Sequence, residues 1–538
     1  MASRSRLGLI RLAGLLAVSL AATGCGASTT APSVAAPSTG SGAATSAPTS
    51  RPINQASYLT APCPQPNVPG APSMDLGPQV SCGYLTVPEN RNSTDEKTIR
   101  LAVARLTATA KNPSHDPIVF LMGGPGHSAL ARVNEVAAQG LNRDRDVIFI
   151  DQRGTGHSEP LLGCAAYDKI QRESIQVGAE DPKIVAGRNA ALRACHDGYV
   201  AAGWDLSSYN TPENAADVAD LRVALGIPEW NVYGVSYGTD LGLQLLRDRP
   251  EGIRSVVLDG AVPPQLNLLD NFWAAAAAGW RAVFAACTAQ PACHKAYPDL
   301  EGEFTTAANR LAAHPVTAPV SLPTTGQTVP VAVDGYAFAN FIVAASSPGS
   351  PFYPALPALI HQVASGELSA LATAVVSTMS GEPTMDGRAN SYGLQLGVFC
   401  REQWPYTSPP QMLSSARKAL PQLSAGVLDR PANDAGVLDC PSWEAGRADP
   451  AVHRPAVSSL PVLFVSGTWD GITPPVWAHE ATSTLPNSRV LEFPGSGHGT
   501  ILWTKCADTV VANFFDRPAG GYDARCIARE KVPTFTTQ

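Results

Sequence analysis

Short apolar runs that end on glycine-bearing turns constrain this chain most. Pro117–Met122 (PIVFLM) is stopped by Gly-Gly-Pro-Gly, and Asp146–Ile150 (DVIFI) by Asp-Gln-Arg-Gly. Trp230–Tyr233 runs into Gly234-Val-Ser-Tyr-Gly238, and Ile253–Leu258 into Asp259-Gly260. Late in the chain, Pro461–Val465 and Arg489–Phe493 end in the same way. Such runs read as strands buried on both faces of a parallel sheet. Two earlier strands are expected at Gly83–Val87 and Ile99–Leu106. Helix patterns lie between the runs. Thr211–Gly226 opens on a capping threonine, carries Pro212 in its first turn and stops at a glycine. Further helices are expected after Ser236 through Leu246 and near residues 502–515. The alternation breaks from 265 to about 455, a stretch rich in Ala and Pro with helix-like segments such as 272–287. The expected fold class is α/β: a doubly wound, mostly parallel sheet with a large, mainly helical insertion before its last two strands.

The N-terminus reads as a targeting signal. Arg4, Arg6 and Arg11 precede Leu12–Ala22, an apolar run too short to span a bilayer comfortably. Ala22-Thr-Gly-Cys25 then looks like a bacterial lipobox, with Ala22 where Leu is usual. Cys25 is therefore the expected lipidation site and membrane tether, with ordinary secretion as the alternative. The expected organisation is a signal peptide at 1–24, then the lipidated Cys and a Ser/Thr/Ala/Pro/Gly linker at 25–55. The first part of the core follows at 56–264, the cap insertion at 265–455 and the last part of the core at 456–538.

Export also explains the cysteines. Ten remain besides Cys25, an even set that implies disulfides in an exported chain. They fall into sequence-local pairs, 63–82, 164–195, 287–293, 400–440 and 506–526, although spacing alone does not fix connectivity. A zinc site is the competing reading, but there is no C-x-x-C and no H-E-x-x-H, and the acyl-transfer chemistry expected of Ser236 implies no metal or organic cofactor. The net charge is −7, and the basic face that a nucleic-acid partner needs is not evident.

Ser236 carries the chemistry. It sits between two glycines, after a strand and before a helix, as a nucleophile elbow requires. The turn forces the serine into a strained backbone conformation, and side chains in place of the flanking glycines would collide with neighbouring elements. A serine hydroxyl needs a base within hydrogen-bond reach, and the base needs an orienting acid. Asp470 and His498 follow the last two strands, on the sheet edge that carries Ser236, where ligands bind in open α/β sheets. Asp259 also ends a strand, but a loop-ordering role suits it better. The oxyanion expects backbone donors from Tyr237 and from the Gly123–Gly126 turn.

Gly-Gly-Pro-Gly, Asp151-Gln-Arg-Gly-Thr-Gly-His-Ser158, Gly-Val-Ser-Tyr-Gly-Thr239 and the Asp470 and His498 loops together resemble α/β-hydrolase serine peptidases. The group is that of the proline iminopeptidases and tripeptidyl aminopeptidases, in its exported lipoprotein branch. Met122 stands where the family often has His. The resemblance implies oxyanion donors at Gly124 and Tyr237, while Asp151 and Arg153 read as structural residues that order their loop. It also implies a cap whose acidic residues bind the substrate's α-ammonium, with Glu402 in Cys400-Arg-Glu402 as the candidate. An exposed salt bridge of Glu402 with Arg401 or another neighbour is the plainer reading. The expected function is an exported serine hydrolase, an aminopeptidase of tripeptidyl or prolyl type acting on peptides with a free N-terminus. A carboxylesterase or lipase on the same residues is the alternative, and a non-catalytic surface binding lipoprotein the third reading.

Overall fold

The computed structural model describes residues 56–65, 75–321, 327–346, 350, 352–379, 391–434 and 439–537. The expected signal peptide, Cys25 and linker lie outside the described residues. Nine strands form one sheet: β1 (Ser57–Ala61), β2 (Val80–Pro88), β3 (Thr98–Leu106), β4 (Ile118–Leu121), β5 (Val147–Ile150), β6 (Trp230–Val235), β7 (Ile253–Asp259) and, after the insertion, β10 (Val462–Gly467) and β11 (Ser488–Phe493). Their order is β1-β2-β3-β5-β4-β6-β7-β10-β11. The pairings from β1 to β5 through β3 are antiparallel, and those from β5 to β11 are parallel.

The apolar runs of β4, β5, β6, β7 and β10 are buried on both faces, as their lack of alternation requires, but Arg489–Phe493 is not: β11 is the edge strand, and Arg489 and Glu492 are exposed. Phe120, Phe149, Tyr233, Val257 and Leu463 pack into one layer. Their chain neighbours Val119, Ile148, Val232, Val256 and Phe464 pack into the layer on the other face. β1 carried too weak an apolar signal to be expected from sequence. It is half exposed, and the Cys63–Cys82 disulfide ties its end to β2. All five sequence-local cysteine pairs are bridged.

The helix after residue 210 shows one correction. Its cap is Asn210, not Thr211: Asn210 has extended backbone angles and its side chain accepts from the Glu213 amide at 2.9 Å, while Thr211 is already helical. Pro212 occupies the first turn, and Gly226 follows the helix at φ +65°.

The chain leaves the sheet twice. Between β5 and β6, helices Ala165–Val177 and Pro182–Ala201 form a pair stapled by Cys164–Cys195, a layer not expected from sequence. Between β7 and β10 lies the longer insertion. It opens with the 22-residue helix Leu268–Ala289 and has its own apolar core around Trp273, Trp280, Phe304 and Phe338. It also holds a two-stranded antiparallel sheet, β8 (Val316–Ser321) with β9 (Thr328–Val333), within the stretch expected to be mainly helical. The two excursions meet in one apolar cluster that includes Tyr167, Leu192, Tyr392 and Trp443.

Candidate active site

Ser236 follows β6 at φ +58°, ψ −129°, a conformation that L-residues avoid unless their surroundings impose it. The flanking glycines show what imposes it. A Cβ at Gly234 would run into the carbonyl of Gly238, and one at Gly238 into the carbonyl of Leu121 at the end of β4. The turn therefore closes only with glycine at both positions. Helix Tyr237–Asp248 starts directly after the serine. Gly123 approaches from β4: a Cβ there would lie 3.0 Å from Ser236 Oγ. Gly124, at φ +116°, lines the same cavity as Ser236 and Tyr237.

Asp470 and His498 come together at the ends of β10 and β11. His498 Nδ1 lies 2.9 Å from Asp470 Oδ2. The other carboxylate oxygen accepts from the amides of Ile472 and Thr473, both at 2.8 Å. Thr473 Oγ1 donates to Asp470 Oδ2 at 2.7 Å and lies 3.0 Å from His498 Nδ1. Sequence reasoning missed Thr473; its place three residues after the acid was the available signal. Burial alone would raise the Asp470 pKa, but the imidazole, its hydrogen bond and the Thr473 donors hold it below the usual carboxylate range. Burial likewise opposes charge on His498, yet the Asp470 carboxylate outweighs it and the imidazole pKa is raised. An ionised acceptor at Nδ1 fixes the proton there and leaves Nε2 as the base.

Asp259 does not join this pair. It is fully buried and accepts from Tyr233 Oη at 2.7 Å and from the Thr500 and Ile501 amides at 2.9 Å. It anchors the loop that carries His498. Asp151 and Arg153 also order loops. Asp151 accepts from Ser128 Oγ, the Leu130 amide and the His157 amide. Arg153 is buried against Asp217, with both nitrogen contacts at 2.8 Å. His127 lines the cavity, and His157 is buried beside Asp151.

The cavity beside Ser236 has a volume of about 760 Å³ and is walled by both excursions from the sheet. Leu269, Phe272 and Ala276 come from the first insertion helix, Tyr336 and Tyr392 from further along, and Arg188 from the pair between β5 and β6. Among the described residues that line it, the carboxylates are Asp434 and Asp439. Arg188 grips Asp439 with two nitrogens (2.9 and 2.7 Å) and Asp434 with a third (2.9 Å). Arg430 pairs with Asp434, Glu180 and Asp334. Among the described residues, two guanidinium groups thus face four carboxylates.

Glu402 lies elsewhere. Its carboxylate accepts from the Thr211 amide at 2.8 Å and from Thr211 Oγ1 at 2.7 Å, behind the cavity wall. Thr211 Oγ1 also lies 2.8 Å from Tyr237 Oη. The expected partner Arg401 instead donates to the carbonyl of Ala445. Burial pushes the Glu402 carboxyl up to about 7, against the two Thr211 donors.

The α/β hydrolase fold family matches residues 116–504. Over 211 residues the chain is 33% identical to a tripeptidyl aminopeptidase of Streptomyces lividans, covering 38% of each protein. Over 222 residues it is 28% identical to a serine protease of Mycobacterium tuberculosis, covering 38% of this chain and 39% of that one. A probable proline iminopeptidase of Streptomyces coelicolor is 31% identical over 157 residues, 28% of this chain and 35% of that one. The match thus spans little more than a third of the length of each relative. The chain belongs to the α/β-hydrolase fold family.

Proposed function

We propose that the chain is an exported serine hydrolase that removes residues or short peptides from the free N-terminal end of peptides. The observation that carries the reading is the 2.9 Å bond between His498 Nδ1 and buried Asp470, on the sheet edge where Ser236 is held at positive φ. In this mechanism His498 Nε2 takes the proton of Ser236 Oγ as the oxygen attacks the scissile carbonyl. The Gly124 and Tyr237 amides receive the developing oxyanion. Collapse of the tetrahedral species breaks the C–N bond, and His498 gives its proton to the leaving amine. Water then attacks the acyl-serine by the same route in reverse.

The cavity supports a peptide with a free N-terminus. Asp434 and Asp439 belong to a cluster with more carboxylates than guanidinium groups, and an α-ammonium at that wall would offset the surplus. The relatives named as aminopeptidases point the same way. Export with a tether at Cys25 belongs to this reading, and five disulfides are in keeping with it.

The test is a panel of aminoacyl-, dipeptidyl- and tripeptidyl-amides, their N-blocked versions and short-chain esters, with a fluorophosphonate probe alongside. Labelling at Ser236 and turnover of free peptides alone is the expected result. Equal cleavage of blocked and free peptides would reject the aminopeptidase reading. Absence of labelling on folded protein would reject the hydrolase reading.

A further inference from the structure

The last helix of the sheet layer, Lys505–Asp516, is followed by a segment that crosses back to the insertion. Cys506–Cys526 staples the start of that return. Gln290 then holds its far end by the backbone: Nε2 donates to the Pro533 carbonyl at 2.8 Å, and Oε1 accepts from the Phe535 amide at 3.0 Å. Gln290 lies inside the short loop closed by Cys287–Cys293, so its position is itself stapled. The Thr536 amide adds a bond to the Pro354 carbonyl at 2.8 Å.

This segment touches both loops of the acid–base pair. The Phe535 ring is 4% exposed and stacks on Trp469, with centroids 5.4 Å apart and planes at 15°. Trp469 directly precedes Asp470, and its amide donates to the Ser496 carbonyl in the His498 loop at 2.9 Å. Gly495 of that loop lies so close that a Cβ there would sit 2.8 Å from Pro533 and 3.1 Å from Val532. On the insertion side, a Cβ at Gly279 of helix Leu268–Ala289 would sit 2.6 Å from Gly471 Cα. The Asp470 loop is therefore held between the first insertion helix and the C-terminal segment.

We propose that Val532–Thr536 is a clasp on the active centre, and that Phe535 is a positioning residue acting on Asp470 and His498 through Trp469. The inference rests on the assignment of those two residues as the acid–base pair and extends it to a part of the chain outside the site. Both residues stand on loops, and a displacement of about 1 Å in such a pair costs rate by up to about 10²-fold. Stacking on a residue adjacent to the acid, with contact on the neighbouring loop, limits that displacement. Gln290 transmits the position of the insertion to the same place.

The experiment measures kcat, KM and the pH profile of kcat/KM for the full chain, Phe535→Ala, Phe535→Leu and Gln290→Ala, with Ser236→Ala as the control. For Phe535→Ala, kcat is expected to fall about tenfold with KM within about twofold. The acid limb should move to lower pH, because an imidazole less well held by its carboxylate has a lower pKa. Phe535→Leu keeps most of the buried volume and should recover most of kcat. Gln290→Ala removes only hydrogen bonds and should shift kcat in the same direction by less, which covers the case of a Phe535→Ala protein that does not fold. Wild-type kcat and an unmoved acid limb in folded Phe535→Ala and Gln290→Ala, with only thermal stability lowered, would overturn the clasp. Wild-type hydrolysis that survives in Ser236→Ala would instead overturn the assignment of the site, and the clasp with it.

Discussion

The sheet-edge loops and the two excursions from the sheet wall the same cavity, but they fix their polar side chains over very different lengths of chain. At the sheet edge the Asp470 loop is fixed locally, although Gly238 answers to Leu121 of β4 and Asp259 reaches Thr500 and Ile501 across 241 and 242 residues. Gly234 and Gly238 close the turn around Ser236, and Asp470 takes three of its hydrogen bonds from residues two and three positions on. In the excursions the partners are remote. Glu402 meets Thr211 across 191 residues, and Arg188 meets Asp434 and Asp439 across 246 and 251. Steric necessity within a turn survives substitution elsewhere. A buried charge pair assembled from distant segments depends on both packing correctly.

The sharpest test of this contrast removes the nucleophile. Ser236→Ala should lower hydrolysis by about 10⁴–10⁶-fold and abolish fluorophosphonate labelling, while the thermal midpoint moves little. Activity assays and calorimetry on one preparation check both halves. A large loss of stability would mean that the serine supports the turn as well as the chemistry.

The two buried acids at neighbouring strand ends come next. Asp470→Asn should lower kcat by about 10³–10⁴-fold, because an amide cannot hold the imidazole proton at Nδ1 as a carboxylate does. Asp259→Asn should cost stability first, on the order of 1–3 kcal/mol, since one acceptor serving two amides and a tyrosine is weakened. Chemical denaturation and kcat for both variants decide it. A larger kcat loss in Asp259→Asn than in Asp470→Asn would exchange their roles.

A smaller effect separates the carboxylates of the insertion. Asp434→Asn or Asp439→Asn should raise KM for peptides with a free N-terminus by about tenfold, leaving blocked peptides and esters unchanged. Glu402→Gln should leave that discrimination intact and lower kcat a few-fold for every substrate, through Thr211 and Tyr237. Loss of discrimination in Glu402→Gln alone would return the ammonium site to Glu402.

What the sequence revealed follows the same division. β4, β5, β6, β7 and β10 were legible because burial on both faces leaves no polar alternation, whereas β11, at the sheet's edge, is only partly buried. The serine turn was legible because Gly234 has a steric cause four residues on, at Gly238, whereas what Gly238 itself meets, the Leu121 carbonyl, comes from another strand. β1, half exposed and tied down by a disulfide, offered no such pattern. Asn210 displaced Thr211 as the helix cap because the neighbouring residue already had the right backbone angles and side chain. Glu402 stood in a recognisable motif, yet what its carboxylate meets is set by a helix far away in sequence. Asp434 and Asp439 had no motif, because their place on the cavity wall depends on Arg188 arriving from the other excursion.

The last effect is thermodynamic, leaves catalysis aside and isolates one buried carboxyl of the insertion. Glu402 titrates near 4.5 in an unfolded chain and at about 7 in the folded one, because burial penalises its charge more than the Thr211 donors and Arg401 favour it. The neutral form is the one the fold accommodates. Its contribution to stability is complete below pH 4.5 and is lost as the pH rises through 7. Asp240, buried nearby and pushed up by burial and by Glu402, acts in the same direction. His498, also raised, adds a loss in an overlapping window, but it is common to wild type and variant and cancels in their difference. Glu402→Gln, permanently neutral, should therefore gain on the wild type by on the order of 2–3 kcal/mol between pH 4.5 and 7.5. Urea denaturation of both proteins at several pH values measures that difference. A gap that stays constant with pH would mean that Glu402 is ionised in the folded chain, held by its two Thr211 bonds like the carboxylates of the sheet edge.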